Sequence, residues 1–123
     1  QFDLRPDFLL NIGAGTPNTQ MANVMLGLER VCGEYQPDLL MVVGDVNSTF
    51  AAALTDNKMG IKVAHLESGL RSDDRTMPEE INRILADEIA DMLFVTEQSG
   101  LDNLKHEGKA PEKIFFNSLY FPE

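Results

Sequence analysis

Apolar positions recur along the chain in two alternating rhythms. Residues 7–12 (DFLLNI) form a short apolar run that predicts a strand, and Gly13, Gly15 and Pro17 follow it as a turn. Between residues 19 and 35, Met21, Val24, Met25, Leu28, Val31 and Cys32 return at the spacing of one helix face. Residues 39–43 (LLMVV) are a continuous apolar run, the pattern of a strand buried on both faces. Gly44 and Asp45 break that run, and Asn47 or Ser48 stands where it can cap a helix reaching about Met59. The beat then repeats: a strand over residues 61–66, a loop, a helix over 78–90, a strand over 92–96 and a helix over 98–107. Residues 114–116 offer a last strand, and the apolar Leu119, Tyr120 and Phe121 are expected to dock on a surface. Asp38 and Asp91 begin two of the strands, whereas Asp45 and Glu67 end two. Strands joined by helical crossovers imply a parallel, doubly wound α/β sheet, with no linker or repeat dividing residues 1–123.

Composition narrows the class. With 43% hydrophobic and 24% charged residues the chain reads as an ordinary globular domain. No run approaches the roughly 18–20 apolar residues of a membrane span, and no signal-peptide pattern opens the sequence, so a cytoplasmic location is expected. The lone Cys32, with only His65 and His106 elsewhere, builds neither a disulfide nor a zinc site. A net charge of -10 opposes binding to nucleic acid, whose affinity rests on Lys and Arg. It leaves a nucleotide-sugar open, because a few backbone N–H groups at a helix start can hold two phosphates.

Candidate chemistry lies where ligands bind an open parallel sheet, beyond the carboxyl ends of its strands. That rule selects residues 44–49 (GDVNST) and 67–71 (ESGLR), neighbouring loops that would project Asp45 and Glu67 into one cleft. Arg71 is available there to pair a carboxylate or phosphate, and Ser48 and His65 are the further candidates for holding substrate. Each has a structural alternative. Asp45 can cap the following helix; residues 71–75 can be a solvated loop with ion pairs among themselves; His65, a lone histidine, can be a satisfied structural residue. A carboxylate at Glu67 is not needed to end its strand, which favours function. Thr76 and Glu79 fit a capping box, with Thr76 as N-cap and Glu79 reaching back to it, and that structural role is favoured over a catalytic one. Gly13-Ala14-Gly15 lacks the third glycine of a dinucleotide fingerprint.

At these loops the sequence stops being generic. Residues 44–49 (GDVNST), 65–72 (HLESGLRS) and 74–83 (DRTMPEEINR) occur in the order and near the spacing of three motifs of the non-hydrolysing UDP-N-acetylglucosamine 2-epimerases. The chain resembles that family over about residues 5–108, including RPDFLLNI and LFVTEQSGLDNL. The resemblance implies a glycosyltransferase-B-type arrangement of two α/β domains, of which this is a partial first one. It implies interconversion of UDP-N-acetylglucosamine and UDP-N-acetylmannosamine through loss of the C2 proton, elimination of UDP and its re-addition. Carried over by position, the catalytic carboxylates fall on Asp45, Glu67 and Glu79: Glu67 and Glu79 as acid and base around C2, Asp45 orienting the sugar or assisting proton transfer. No metal or redox cofactor is implied.

Departures from the family pattern shape the remaining expectations. The opening strands with their glycine- and arginine-containing turn are absent, as is the second domain with its catalytic histidine and most UDP contacts. The segment NIGAGTPNTQ lacks the family's KPGQ, Ser68 replaces the usual Ala, and FFNSLYFPE replaces a VGN strand end. By itself the chain is therefore expected to be inactive. The hydrolysing relative and a stand-alone binding or assembly module are the alternatives. Removing strands leaves an open apolar edge, so a homodimer is expected.

Overall fold

A right-handed crossover between neighbouring parallel strands carries its helix over one chosen side of the sheet, and this chain makes the same move repeatedly. The computed structural model describes residues 5–10 and 12–116. Helix α1 (Pro17–Tyr35) is followed by β1 (Leu39–Val43), α2 (Asn47–Lys58), β2 (Lys62–Leu66), α3 (Pro78–Ile89), β3 (Met92–Val95), α4 (Gln98–His106), a 3-10 turn at Pro111–Lys113 and β4 (Ile114–Phe116). The four strands are parallel and lie in the order β1-β2-β3-β4.

Register shows which side is covered. Val42 pairs with His65, and His65 with Leu93, so these residues share one face with Val63 and Val95. That face packs against Ala53 of α2, Ala90 at the end of α3 and Leu104 of α4 in a single core cluster. The opposite face carries Met41, Ala64 and Met92 in register, with Phe94 stacked on Phe115 at a 5.2 Å centroid distance. Among the described residues no helix packs on it. Leu39, Met41 and Val43 are 41%, 50% and 54% exposed, so the expectation that residues 39–43 are buried on both faces is not met. The reason is topological: sequential strands with crossovers of one hand place every helix on the same side.

The strand expected over residues 7–12 does not form among the described residues of that stretch. Their apolar side chains lie along α1 instead. Leu10 packs against Gly27, a Cβ on which would approach it to 3.2 Å, and Phe8 meets Tyr35 edge-on at 5.9 Å. Helix α1 begins with Thr16, whose hydroxyl accepts the Thr19 N–H at 3.1 Å, and closes at Gln36 in the left-handed region (φ 56), where Pro37 forbids continuation. It docks on α2, where the Cys32 thiol donates to the Asp56 carboxylate at 3.4 Å. Burial, reinforced by that carboxylate, pushes the thiol up to about 11, so Cys32 is inert packing.

Two capping expectations are corrected. The N-cap of α2 is Val46, which has no side chain able to accept, and Asn47 is the first helical residue. The N-cap of α3 is Met77, again without a side-chain bond. Thr76 donates its hydroxyl to Asp74 at 2.6 Å, because the short Asp-x-Thr turn satisfies it locally before it can serve the helix. Residues 119–121 lie outside the described residues.

Candidate active site at the carboxyl edge of the sheet

Strands β1 and β2 end side by side, Val43 paired with Leu66, and their outgoing loops therefore begin as neighbours. Gly44 leaves β1 at φ +88, and Glu67 leaves β2 at φ 64. A left-handed conformation costs a non-glycine residue on the order of 1–3 kcal/mol and persists where surrounding contacts impose it. Those contacts are present. The Ser68 N–H donates to the Phe94 carbonyl at 2.9 Å, the Ser68 hydroxyl donates to the His65 carbonyl at 2.7 Å, and Asn103 of α4 donates to the Gly69 carbonyl at 2.8 Å. Gly69 meets Gly100 so closely that a Cβ on Gly69 would lie 2.4 Å from the Gly100 carbonyl oxygen. The result is an exposed Glu67 whose carboxylate oxygen lies 3.9 Å from where a Cβ on Gly44 would stand.

Asp45 is half-buried and held from α3. Its carboxylate accepts from Arg83 Nη2 at 2.7 Å, and its carbonyl accepts from Asn82 Nδ2 at 3.0 Å. The same Asn82 amide donates to Asn47 Oδ1 at 2.9 Å. Asp45 is thus tied to the next helix, and it does not cap its own. Glu79, exposed in the first turn of α3, lies three and four residues before Asn82 and Arg83 and so on the helix face that reaches Asp45. The neighbouring Glu80 is buried. Its carboxylate accepts the Ser72 N–H at 2.9 Å, the Asp73 N–H at 3.3 Å and Arg83 Nη1 at 3.2 Å. Burial alone would raise its pKa, but these donors outweigh it and hold the carboxyl below its usual value. The bond foreseen from Glu79 back to the Thr76 N–H is not made: that N–H donates to Asp74 at 3.0 Å, and it is Glu80 that holds the preceding loop, at Ser72 and Asp73.

His65 and Arg71 turn inward. His65 Nδ1 lies 2.6 Å from Asp87 Oδ1 and Nε2 lies 2.8 Å from the Gly44 carbonyl, with the ring buried. Burial lowers the imidazole pKa, but the Asp87 carboxylate and the Gly44 carbonyl raise it further, to a value above the ordinary one. Arg71 pairs with Asp87 at 2.9 Å and with Glu107 of α4 at 2.8 Å, its side chain 4% exposed. Ser48 is exposed on the first turn of α2. It lines a cleft of about 410 Å³ with Gly13, Gln20, Met21, Val46 and Asn47, where the starts of α1 and α2 face each other. No group of three His, Cys, Asp or Glu side chains able to hold a metal occurs among the described residues.

Glu80, Asn82, Arg83 and Asp87 were not singled out by the sequence reading. A signal existed: charged residues at 80, 83 and 87 recur at helical spacing on the side of α3 that carries Ala90 to the core, marking a polar stripe turned inward.

The family model described as UDP-N-acetylglucosamine 2-epimerase matches residues 1–117. A UDP-N-acetylglucosamine 2-epimerase of Methanococcus maripaludis is 44% identical over 110 residues, covering 89% of this chain and 30% of that protein. A UDP-2,3-diacetamido-2,3-dideoxy-D-glucuronate 2-epimerase of Pseudomonas aeruginosa is 43% identical over 104 residues, 85% of this chain and 29% of its own length. The crystal structure of the Methanocaldococcus jannaschii UDP-GlcNAc 2-epimerase in complex with UDP-GlcNAc and UDP superimposes with a TM-score of 0.89 at 44% identity, over 92% of this chain and 31% of that one. The chain spans about a third of the length of these relatives. No helix among the described residues is long and apolar enough to cross a membrane.

Proposed function

The chain belongs to the UDP-N-acetylglucosamine 2-epimerase family, and we propose that it carries the carboxylate half of a UDP-sugar 2-epimerase site. The observation that carries the reading is Glu67: an exposed carboxylate in a left-handed conformation, beside the Gly44-Asp45 turn, at the sheet edge where such folds bind ligands. Both sugars in the relatives' names bear a UDP leaving group and an acetamido group at C2, so one reaction serves either.

In the proposed reaction one of Glu67 and Glu79 removes the C2 proton. The C2–H electron pair forms the C1–C2 double bond, and the C1–O bond breaks with its pair leaving on UDP. Re-addition of UDP at C1 and return of a proton to the opposite face of C2 complete the inversion, the second carboxyl acting as acid. Asp45, oriented by Arg83, aligns the sugar. Ser48 and the bare N–H groups at the start of α2 suit the diphosphate side of the cleft. His65 and Arg71 support the loops from within. A second domain would supply the leaving-group contacts, so the chain alone is inactive in this reading.

The test transplants residues 5–116 into the matching stretch of the 44% identical relative. The composite is expected to exchange the C2 hydrogen for solvent deuterium and to interconvert the two UDP-sugars, and Glu67→Gln to slow it about 10²–10⁴-fold. Undiminished turnover by that variant refutes the assignment, and release of free N-acetylmannosamine identifies the hydrolysing reaction instead. The isolated chain should show no turnover above its own Glu67→Gln control.

Two finer proposals accompany this one. The unpaired Cys32 fits a reducing compartment, and we assign the chain to the cytoplasm. The open β1 edge and apolar sheet face support self-association of the isolated chain as a homodimer. Sedimentation showing a folded monomer at micromolar concentration would overturn the latter.

A further inference from the structure

Asp87 is buried, yet both loops of the site end on it. One carboxylate oxygen accepts from His65 Nδ1 at 2.6 Å; the other accepts the Gly69 N–H at 2.9 Å and pairs with Arg71 Nη2 at 2.9 Å. From His65 the chain of bonds continues through Nε2 to the Gly44 carbonyl at 2.8 Å, one residue before Asp45. From Gly69 it continues two residues back to Glu67. A single buried carboxylate on α3 thereby fixes the turn that presents Asp45 and the turn that presents Glu67.

Bond polarity determines the state of the pair. A backbone carbonyl only accepts, and so does an ionised carboxylate, so the ring between them donates through both nitrogens and is an imidazolium. The charges facing one another in this pocket are Asp87 from α3, His65 from β2, Arg71 from the β2–α3 loop and Glu107 from α4: two positive and two negative. The pocket is neutral only while His65 keeps both protons. A neutral ring would drop one of its two bonds, and either loss frees one loop from the other.

We propose that Asp87 is a positioning residue that couples the Asp45 and Glu67 loops through a buried, doubly protonated His65. The inference rests on the reading of Asp45 and Glu67 as the reacting carboxylates, but its geometric content is tested without catalysis. In the isotopically labelled chain, nuclear magnetic resonance should show His65 with both ring nitrogens protonated at neutral pH and a Gly69 amide protected from exchange.

Asp87→Asn should lower the His65 pKa by about one unit or more, speed Gly69 exchange about tenfold or more, and displace the Gly44, Asp45 and Glu67 amide resonances together. The control is Asp91→Asn: Asp91 also accepts a backbone N–H, that of Val63 at 2.9 Å, but at the far end of β2. It should leave those three resonances in place. Changes confined to His65 and Gly69, or the same displacement from Asp91→Asn, would reduce Asp87 to ordinary structural support.

Should Asp87→Asn not fold, the wild-type titration decides. A neutral His65 ring at pH 7 overturns the proposal, and a doubly protonated ring whose titration moves Gly44 and Glu67 in step sustains it. In the transplanted enzyme, Asp87→Glu should recover part of the turnover lost in Asp87→Asn, with kcat affected more than KM. Absence of turnover in the unmutated composite would count against the epimerase reading alone, since the resonance measurements stand apart from it.

Discussion

The two faces of the sheet are built from the same kinds of residue and meet different fates. On one, Val63 and Leu93 are fully buried beneath α2, α3 and α4. On the other, Met41 and Val43 are half exposed, although LLMVV offers nothing to tell its inward from its outward positions. Hydropathy says that a strand wants cover; crossover handedness says which side receives it. The site follows the covered side. Asp45, Glu67 and Glu79 ride on loops and a helix end braced by α3 and α4, whereas the bare face braces nothing among the described residues.

The largest effect that could break this contrast is cavity formation. Leu93→Ala should destabilise the chain by about 2–5 kcal/mol, read as a lowered denaturant midpoint. A cost below about 1 kcal/mol would mean that the face under the helices is not the one holding the fold together.

Gly69→Ala comes next. The added Cβ would lie 2.4 Å from the Gly100 carbonyl oxygen, and Gly69 has φ +86, so α4 or the loop must yield. We expect a loss of about 1–3 kcal/mol and a displaced Glu67, visible as altered amide shifts around residue 67. Wild-type stability with unmoved resonances would show that the glycine contact does not fix the loop.

Acidity probes the charged pocket on the covered side. Asp87 is driven upward by burial but held below its ordinary 3.8 by the His65 bond, the Gly69 N–H and Arg71, so its contribution is present above 3.8 and lost as pH falls through the lowered value. His65 is raised above its ordinary 6.5, so its contribution is full below 6.5 and lost as pH rises through the raised value. Asp56 acts with the opposite sign to Asp87. Burial raises its carboxyl against the Cys32 bond, so its contribution is full below 3.8 and is lost as pH rises through the raised value, where the charge must be held away from water. Stability followed by denaturation against pH should decline on the alkaline side with the ring titration of His65. A flat alkaline limb would contradict the buried pair.

The smallest effect is on the open face. Met41→Thr should change monomer stability by no more than about 0.5 kcal/mol while weakening any self-association. A loss comparable to Leu93→Ala would reveal cover on that face and erase the contrast.

What the sequence determined by itself was local. Strands β1 to β3 and helices α1 to α4 lie within about two residues of their expected bounds, because the helical and strand periods and breakers such as Gly44 and Asp45 act over a few neighbours. The same locality put Asp45 and Glu67 at strand ends. Tertiary structure alone decided that residues 7–10 follow α1 rather than join the sheet, that one face stays bare, and that the buried Glu80 holds the backbone at Ser72 and Asp73 while no capping box forms at Thr76. It also joined His65 to Asp87 across 22 residues and Arg71 to Glu107 across 36. A periodic pattern says which way a side chain leans relative to its neighbours. Which distant group meets it there depends on how the crossovers stack, and no short window of sequence contains that information.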